Sequence, residues 1–358
     1  MKLGELINVK TGKLDANAEN MNGQYPFFTC SKQISRIDSY AFDCECVLIA
    51  GNGELYAKYY NGKFNAYQRT YVIESNDKNR LDVKFLFYFF TWYIEILRYQ
   101  SIGGVIKYIK LTNLVDVDIK LPTLEKQKQI VNVLENLQSC LSNKEKEINN
   151  LDNLIKSRFI EMFGDPVINS KKYETQELSA LGYFNRGRSQ HRPRNDKILL
   201  GGPYPLIQTG EVANADTYIT SYEQTYSEEG LKQSRMWNKG TLCITIAANI
   251  AKTAILGIDA CFPDSIIGFI PYDKVTTLFI HNWFKFFQPI LEDQAPAAAQ
   301  KNLNGTTLGK VQVIVPPIKE QIEYETFVKL IDKSKFSVQK EIELYKELLE
   351  KKMNEYFG

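Results

Sequence analysis

Two long stretches of the chain carry apolar residues at heptad spacing, with neither proline nor glycine to interrupt them. In the first, from 125 to 163, the repeating positions are Gln127, Ile130, Leu134, Leu137, Leu141, Lys144, Ile148, Leu151, Ile155, Arg158 and Met162. In the second they are Gln321, Tyr324, Val328, Ile331, Lys335, Val338, Ile342, Tyr345, Leu349, Lys352 and Tyr356. Such a seam marks helices that pack along their length. Pro122 and Pro316-Pro317 stand just before each stretch, where a missing N–H costs little. Each helix is predicted to be roughly 55–60 Å long. Helices of that length cannot bury their stripes on one small domain, so the pattern predicts that they pair antiparallel, with a domain at each end. Lys144 and Lys335 interrupt the seam, as partner surface or by snorkelling out of it.

The remaining chain alternates short apolar runs with turns. VLIAG, TYVIES and VDVDIKL read as strands before residue 122, and LCITIAA, SIIGFIP and VQVIV as strands after residue 240. An aromatic helix is predicted in each region, at about 82–98 and 276–291. The run FLFYFFTWYIEIL is too short for a membrane span and contains Glu95, so it reads as a buried helix. The predicted fold is therefore α+β, with two α/β domains joined by two long antiparallel coiled-coil helices in a pseudo-twofold internal repeat. The expected divisions are a first domain at 1–120, a central helix at 121–164, a second domain at 165–315 and a C-terminal helix at 316–358.

The repeat is explicit in the residues. LPTLEKQKQI at 121–130 returns as VPPIKEQIEY at 315–324, an offset of 194. The same offset lays KSRFIEMFG (156–164) on EKKMNEYFG (350–358), and Phe85, Phe89 and Phe90 on Phe279, Trp283 and Phe284. Further back the match loosens, with CVLIAGNG (46–53) resembling LCITIAAN (242–249). Helices that repeat faithfully do one task twice; domains that diverge do related but different tasks.

Composition narrows the task. Aromatic content of 12% and hydrophobic content of 44% fit a globular chain. The opening MKLGELINVKTG lacks the apolar core of a signal peptide, so a cytoplasmic protein is expected, with no membrane partner. Six cysteines without zinc-ligand spacing and two histidines predict reduced thiols and no metal site. No G-x-x-x-x-G-K-[ST] loop and no Asn/Asp-Pro-Pro-aromatic tetrapeptide occurs, which argues against catalysis by this chain and against a cofactor of its own.

Net charge of +2 is uninformative, but its distribution is not. NRGRSQHRPRN holds Arg186, Arg188, Arg192 and Arg194 with no acid, together with Ser189 and His191. Arginine reads guanine edges, Asn and Gln read adenine, and Lys and Ser bond phosphates. On that basis the DNA-contact candidates in the second domain also include Gln208, Thr209, Lys232, Ser234, Asn249 and Lys252. In the first domain they are Lys13, Lys32, Arg36, Asn52, Lys58, Lys63 and Arg69. From these residues alone, a stand-alone bipartite DNA-binding protein and a helical protein-binding scaffold both stay open.

The whole arrangement resembles the specificity (S) subunit of type I restriction-modification enzymes. The resemblance rests on two tandem variable domains, each followed by a long helix opening on LPTLEKQKQI or VPPIKEQIEY. FNRGRS, GGPYPLIQTGEV, YSEEGLKQSRMWNKGTLCITIAANIA and CFPDSIIGF strengthen it in the second domain. The first domain matches the recurrent pattern less well. The resemblance implies two target-recognition domains, each reading half of a bipartite double-stranded DNA sequence, with the helices as spacer. It also implies docking of two methylation subunits through the repeated helix starts, marked by Pro122, Gln127, Pro316, Pro317 and Gln321. Restriction subunits would complete the nuclease; S-adenosylmethionine, ATP and Mg would belong to those partners.

Overall fold

The computed structural model describes residues 1–247, 250–293 and 305–358. The chain forms two compact units, one of Met1–Glu147 with Val338–Gly358 and the other of Ile148–Ser337.

The first unit contains β1 (Ile7–Thr11), β2 (Tyr25–Phe28), β3 (Ser35–Ile37), β4 (Phe42–Ala50), β5 (Ala57–Ala66) and β6 (Thr70–Ser75). They form one sheet in the order β1-β6-β4-β5-β2-β3, antiparallel except where β2 meets β5. Residues 46–50 of β4 are buried on both faces, which explains their unbroken apolar run. Helix α1 (Val83–Gln100) covers the sheet, and the Asp82 carboxylate caps it by accepting from the Phe85 N–H at 2.9 Å. Phe85, Leu86, Phe89 and Phe90 share a core with Leu3, Val47, Ile49 and Ile73. One sequence expectation changes here. VDVDIKL is not a strand: helix α2 (Thr112–Val115) takes its start, and only an isolated bridge, Lys2 to Asp118, follows. The alternation was real, since Val117 and Ile119 are buried. The neighbouring chain turns into the 3-10 turn Leu3–Glu5 and offers no ladder to extend.

The long helix α3 (Leu124–Phe163) leads into the second unit. There the elements are β7 (Thr175–Glu177), β8 (Gly182–Arg186), β9 (Leu200–Leu206), α4 (Thr209–Asn214), β10 (Tyr218–Ile219), β11 (Gln224–Tyr226) and α5 (Glu228–Lys232). Next come β12 (Met236–Trp237), β13 (Leu242–Thr245), β14 (Thr253–Leu256), β15 (Ala260–Cys261) and β16 (Ile266–Pro271). Helices α6 (Thr277–Asp293) and α7 (Gly305–Gly309), strand β17 (Gln312–Ile314) and the long α8 (Ile318–Phe357) close the chain. The sheets are β10-β14-β13-β16-β8, β11-β9-β15-β12 and β17-β7. Trp237 stacks on Phe262 at 4.9 Å and lies over Gly268, where a Cβ would sit 2.4 Å from the indole; only glycine fits.

The ladder β1-β6-β4-β5 of one unit and β8-β16-β13-β14 of the other have the same order, and their hydrogen bonds correspond residue for residue. Leu3 N–H donates to Val117 O in one, Leu178 N–H to Val311 O in the other; Asn76 to Leu6 corresponds to Tyr272 to Leu181. Gly12 bonds Thr70 O as Gly187 bonds Ile266 O. This pairing makes Ala50 the counterpart of Thr245, one residue away from the match of 46–53 with 242–249 expected from sequence. A slip of one residue exchanges the faces of a strand, so that finer correspondence fails.

Every heptad position named above is buried or half-buried in both helices. Within each unit the paired segments run antiparallel. Lys144 pairs with Glu341 at 2.8 Å, and Ile130 and Leu134 share a core with Met353 in the first unit. In the second, Arg158 pairs with Glu323 at 3.1 Å, and the Tyr324 hydroxyl donates to Ile155 O at 3.3 Å. Both seam lysines make ion pairs within their own unit, and Lys335 is buried. Lys335 is 5% exposed, and its ammonium bonds Asp152 at 2.6 Å and also Asp216. Burial opposes that charge, yet the two carboxylates hold the group above the usual lysine range. Nearby, burial holds Lys285 below the usual lysine range and raises the Asp332 carboxyl.

The repeated glutamines carry an internal task. Gln127 is fully buried; its amide donates to Arg80 O at 2.8 Å and Pro122 O at 2.9 Å, and its carbonyl accepts from Asp82 N–H at 2.9 Å. Gln321, equally buried, donates to Lys274 O at 3.0 Å and Pro316 O at 2.8 Å and accepts from Thr276 N–H at 3.0 Å. All three partners are displaced by the same 194 residues. Each glutamine locks the start of a long helix to the start of the aromatic helix. Gln127, Gln321 and the buried Pro316 therefore cannot themselves be a docking surface, whereas Pro317 is exposed and Pro122 half-buried.

Candidate nucleic-acid interface

In the second unit the chain leaves β8 at Gly187, where a Cβ would come within 2.3 Å of Phe262 O. The cationic loop starts from this close approach. Arg188 N–H bonds Phe262 O, and Gln233 Oε1 accepts from the Gln190 and His191 backbones at 2.7 and 3.1 Å. Arg188 reaches Gln190, and Arg192 donates to Ser189 O and His191 O, both at 2.8 Å. Arg194 and Arg192 converge on Asp264, at 2.7 and 4.0 Å. His191 lies 3.2 Å from Asp196, whose carboxyl is held below its ordinary range by the Ile198 N–H and then by the imidazole. The loop is thus a folded, exposed cationic platform, and the guanidinium of Arg186 makes no hydrogen bond among the described residues.

The other second-unit candidates scatter. Gln208 lines a groove of about 650 Å³ with Tyr218, Tyr222 and Gln224, and no arginine lines it; Thr209, half-buried, opens helix α4 beside it. Lys232 is exposed and pairs with Glu229. Ser189 and Ser234 are buried, at 6% and 7% exposure, so neither hydroxyl offers a DNA contact. Lys252 lines a different cavity, of about 420 Å³, with Asp216, His281 and Lys285. Asn249 lies outside the described residues. Arg235, which follows Lys232 and Ser234 in the candidate stretch GLKQSRMW, lies over the Trp237 ring at 4.3 Å and the Tyr183 ring at 5.0 Å. Its signal was R-M-W: on a strand, residues two apart share a face.

In the first unit Gly12-Lys13 occupies the place of Gly187-Arg188, and a Cβ on Gly12 would lie 1.9 Å from Ala66 O. The sequence signal was the shared spacing of LGELINVKTG (3–12) and LSALGYFNRG (178–187), in which two leucines and a terminal glycine coincide. Around this position Gln68 N–H bonds Leu14 O, and Gly51 N–H bonds Arg69 O. Asn52 bridges to Tyr108, Lys32 pairs with Glu54 at 2.7 Å, and Lys58 reaches Ser31 O at 3.0 Å. Burial holds Lys58 below the usual lysine range. Lys13, Lys32, Asn52, Lys58 and Arg69 thus belong to one network of adjoining turns. Two candidates do not join it. Arg36 is committed to Gly23 O and Gln24 O, at 2.6 and 2.9 Å. Lys63 lies over Tyr40, roughly 20 Å along the β4–β5 ladder from the turn.

Among the described residues no His/Cys/Asp/Glu group could hold a metal, and no helix is long and apolar enough to cross a membrane. All six cysteines are free, and burial raises Cys46, Cys243 and Cys261.

Comparison with known proteins places this geometry. The specificity subunit of the type I restriction enzyme EcoDI from Escherichia coli is 29% identical over 355 residues, covering 90% of this chain and 78% of that one. A putative type I specificity subunit from Haemophilus influenzae is 25% identical, covering 87% of this chain and 80% of its own length. The fold resembles the crystal structure of the type I restriction-modification S subunit from M. genitalium, with a TM-score of 0.63 and 16% identity, covering 100% of this chain and 95% of that one. A chain from a second type I system aligns with a TM-score of 0.59 and 16% identity, covering 100% and 96%. Residues 1–153 and 170–346 match the type I restriction modification DNA specificity domain, and the chain belongs to that family, as a specificity subunit with two recognition domains in tandem.

Proposed function

We propose that each recognition domain reads one half of a split DNA sequence in the major groove. The loops after Gly12 and Gly187 would provide the cationic part of each face, and the paired helices would set the gap. One observation carries this reading: equivalent turns place Lys13 and Arg188 at the same point of two matching ladders, while the surroundings of those points differ. Matching scaffolds with different surroundings suit two different half-sites approached in the same way. The chain itself performs no chemistry. Its catalysts are partner subunits, two for methylation and restriction subunits for cleavage, which carry S-adenosylmethionine, ATP and Mg in the cytoplasm. The buried glutamines keep each helix start in a fixed attitude to its domain, so the outer surface of those starts, including exposed Pro317, serves for docking.

Co-expression with a methylation subunit, followed by mapping of N6-methyladenine in the host DNA, tests this. A two-part motif with a constant gap is expected. A continuous motif would contradict two-domain reading, and a stable complex without new methylation would contradict the proposed role in modification.

A further inference from the structure

We infer that the loop at 101–108 in the first unit is an apolar wedge that presses Val105 and Ile106 against the bases of the bound half-site. This rests on the reading of that unit as a DNA-recognition domain. The observation behind it is an exposed apolar tip on an ordered loop. Val105 is completely exposed, Ile106 is 63% exposed and Ile102 is 44% exposed. Single exposed apolar side chains need no explanation, but a cluster on one loop does.

The loop is pinned. Ile102 and Tyr108 exchange two backbone hydrogen bonds, at 3.0 and 2.8 Å. Gly53 N–H donates to Lys107 O at 2.9 Å, Ile109 N–H to Gly51 O at 3.0 Å, and the Tyr71 hydroxyl to Ile109 O at 3.2 Å. Gly103 has φ +118°, and a Cβ there would sit 2.5 Å from Ile106 O, so glycine allows the chain to fold back beneath its own tip. The unit thus commits several hydrogen bonds to displaying two apolar side chains in water.

Charge selects the occupant. The turn that holds the loop, residues 51–53, also bonds Arg69 O, whose side chain makes no hydrogen bond or ion pair among the described residues. Lys107 lies on the loop itself. Glu54, the carboxylate on the adjoining turn, is neutralised by Lys32 at 2.7 Å. An apolar tip among cations suits a polyanion whose apolar faces lie inside a ring of phosphates. A protein-docking patch is depleted of charge at its centre and needs no such surround.

The test uses the co-expressed complex with its methylation subunit and duplexes carrying the mapped motif. Val105→Ser with Ile106→Ser should weaken specific binding by roughly tenfold or more and leave its salt dependence unchanged, because the lost contact is apolar. Lys107→Ala should instead lower the salt slope by about one. Thermal melting of the isolated chain should be unaltered, since the tip packs on nothing. Affinity unchanged by the double substitution overturns the wedge. So does a folded variant that no longer assembles with the methylation subunit, which would make the tip a protein-docking patch. Absence of DNA binding by the wild-type complex would instead overturn the recognition reading itself.

Discussion

The two units share a ladder and a glutamine lock but differ in what surrounds them. Between β1 and β4 the first unit has a small hairpin, β2-β3, attached to its single sheet. Between β8 and β13 the second has β9, β11 and β12, which form a separate four-stranded sheet with the later β15. Their helix interfaces differ as well. Where the second unit has buried His281 and Lys335 beside half-buried Lys285 and Asp332, the first has Phe87, Thr91, Gln138 and Leu141 at the corresponding positions. Duplication therefore kept the parts that fix geometry and freed the parts that face outward, with one exception, a buried ionic network found in one copy.

The comparison can be broken most severely at the lock. Gln127→Leu and Gln321→Leu each strand a buried N–H and two carbonyls, and each should cost about 2–4 kcal/mol in urea unfolding. Similar losses at the two sites are expected; a loss at only one would show that the equivalence is geometric but not energetic. Lys335→Met leaves Asp152 and Asp216 facing a buried aliphatic side chain. Both carboxylates keep some exposure, so about 2 kcal/mol is expected, less than for a fully buried pair. Leu141→Met, its counterpart, should cost under about 1.5 kcal/mol.

A smaller difference lies in acid sensitivity. His281 is 1% exposed, with Nδ1 3.0 Å from the Thr253 hydroxyl; burial, aided by Lys285, holds its pKa well below the ordinary histidine value. The unfolded chain takes up this proton below about pH 6.5 while the fold does not, so stability is fully present above that pH and falls below it. The loss should approach about 1.4 kcal/mol per pH unit, and His281→Phe, the residue of the first unit, should abolish it. Asp332, with its raised carboxyl, acts in the opposite direction, which is why the difference between the two proteins is the quantity to measure. The smallest effect expected is on phosphate contacts: Lys13→Ala should lower the salt slope of DNA binding by about one.

Much of the scaffold was legible because it rests on periodicity. The heptad seams, aromatic helices and most strands follow from apolar spacing, and burial agrees with that spacing at every seam position. VDVDIKL misled because alternation reports which side chains face inward, not whether a neighbouring strand is present. The glutamines misled differently: a polar residue in a repeated phrase suggests a surface, while only the fold reveals that Arg80, Asp82 and Pro122 converge on its amide. Contact residues were least legible. Arg36 and Ser234 have the right chemistry, but one is bound to backbone carbonyls and the other buried. Lys107 and the tip beside it were overlooked because Val105 and Ile106, beside a Gly-Gly turn, show no periodicity to read.

The most direct test of half-site division is to co-express the Arg188→Ala, Arg194→Ala double variant with the methylation subunit and map the methylated sequences against wild type. The account predicts that one half of the motif relaxes while the gap and the other half stay unchanged. Relaxation of both halves together, or of neither, would contradict it.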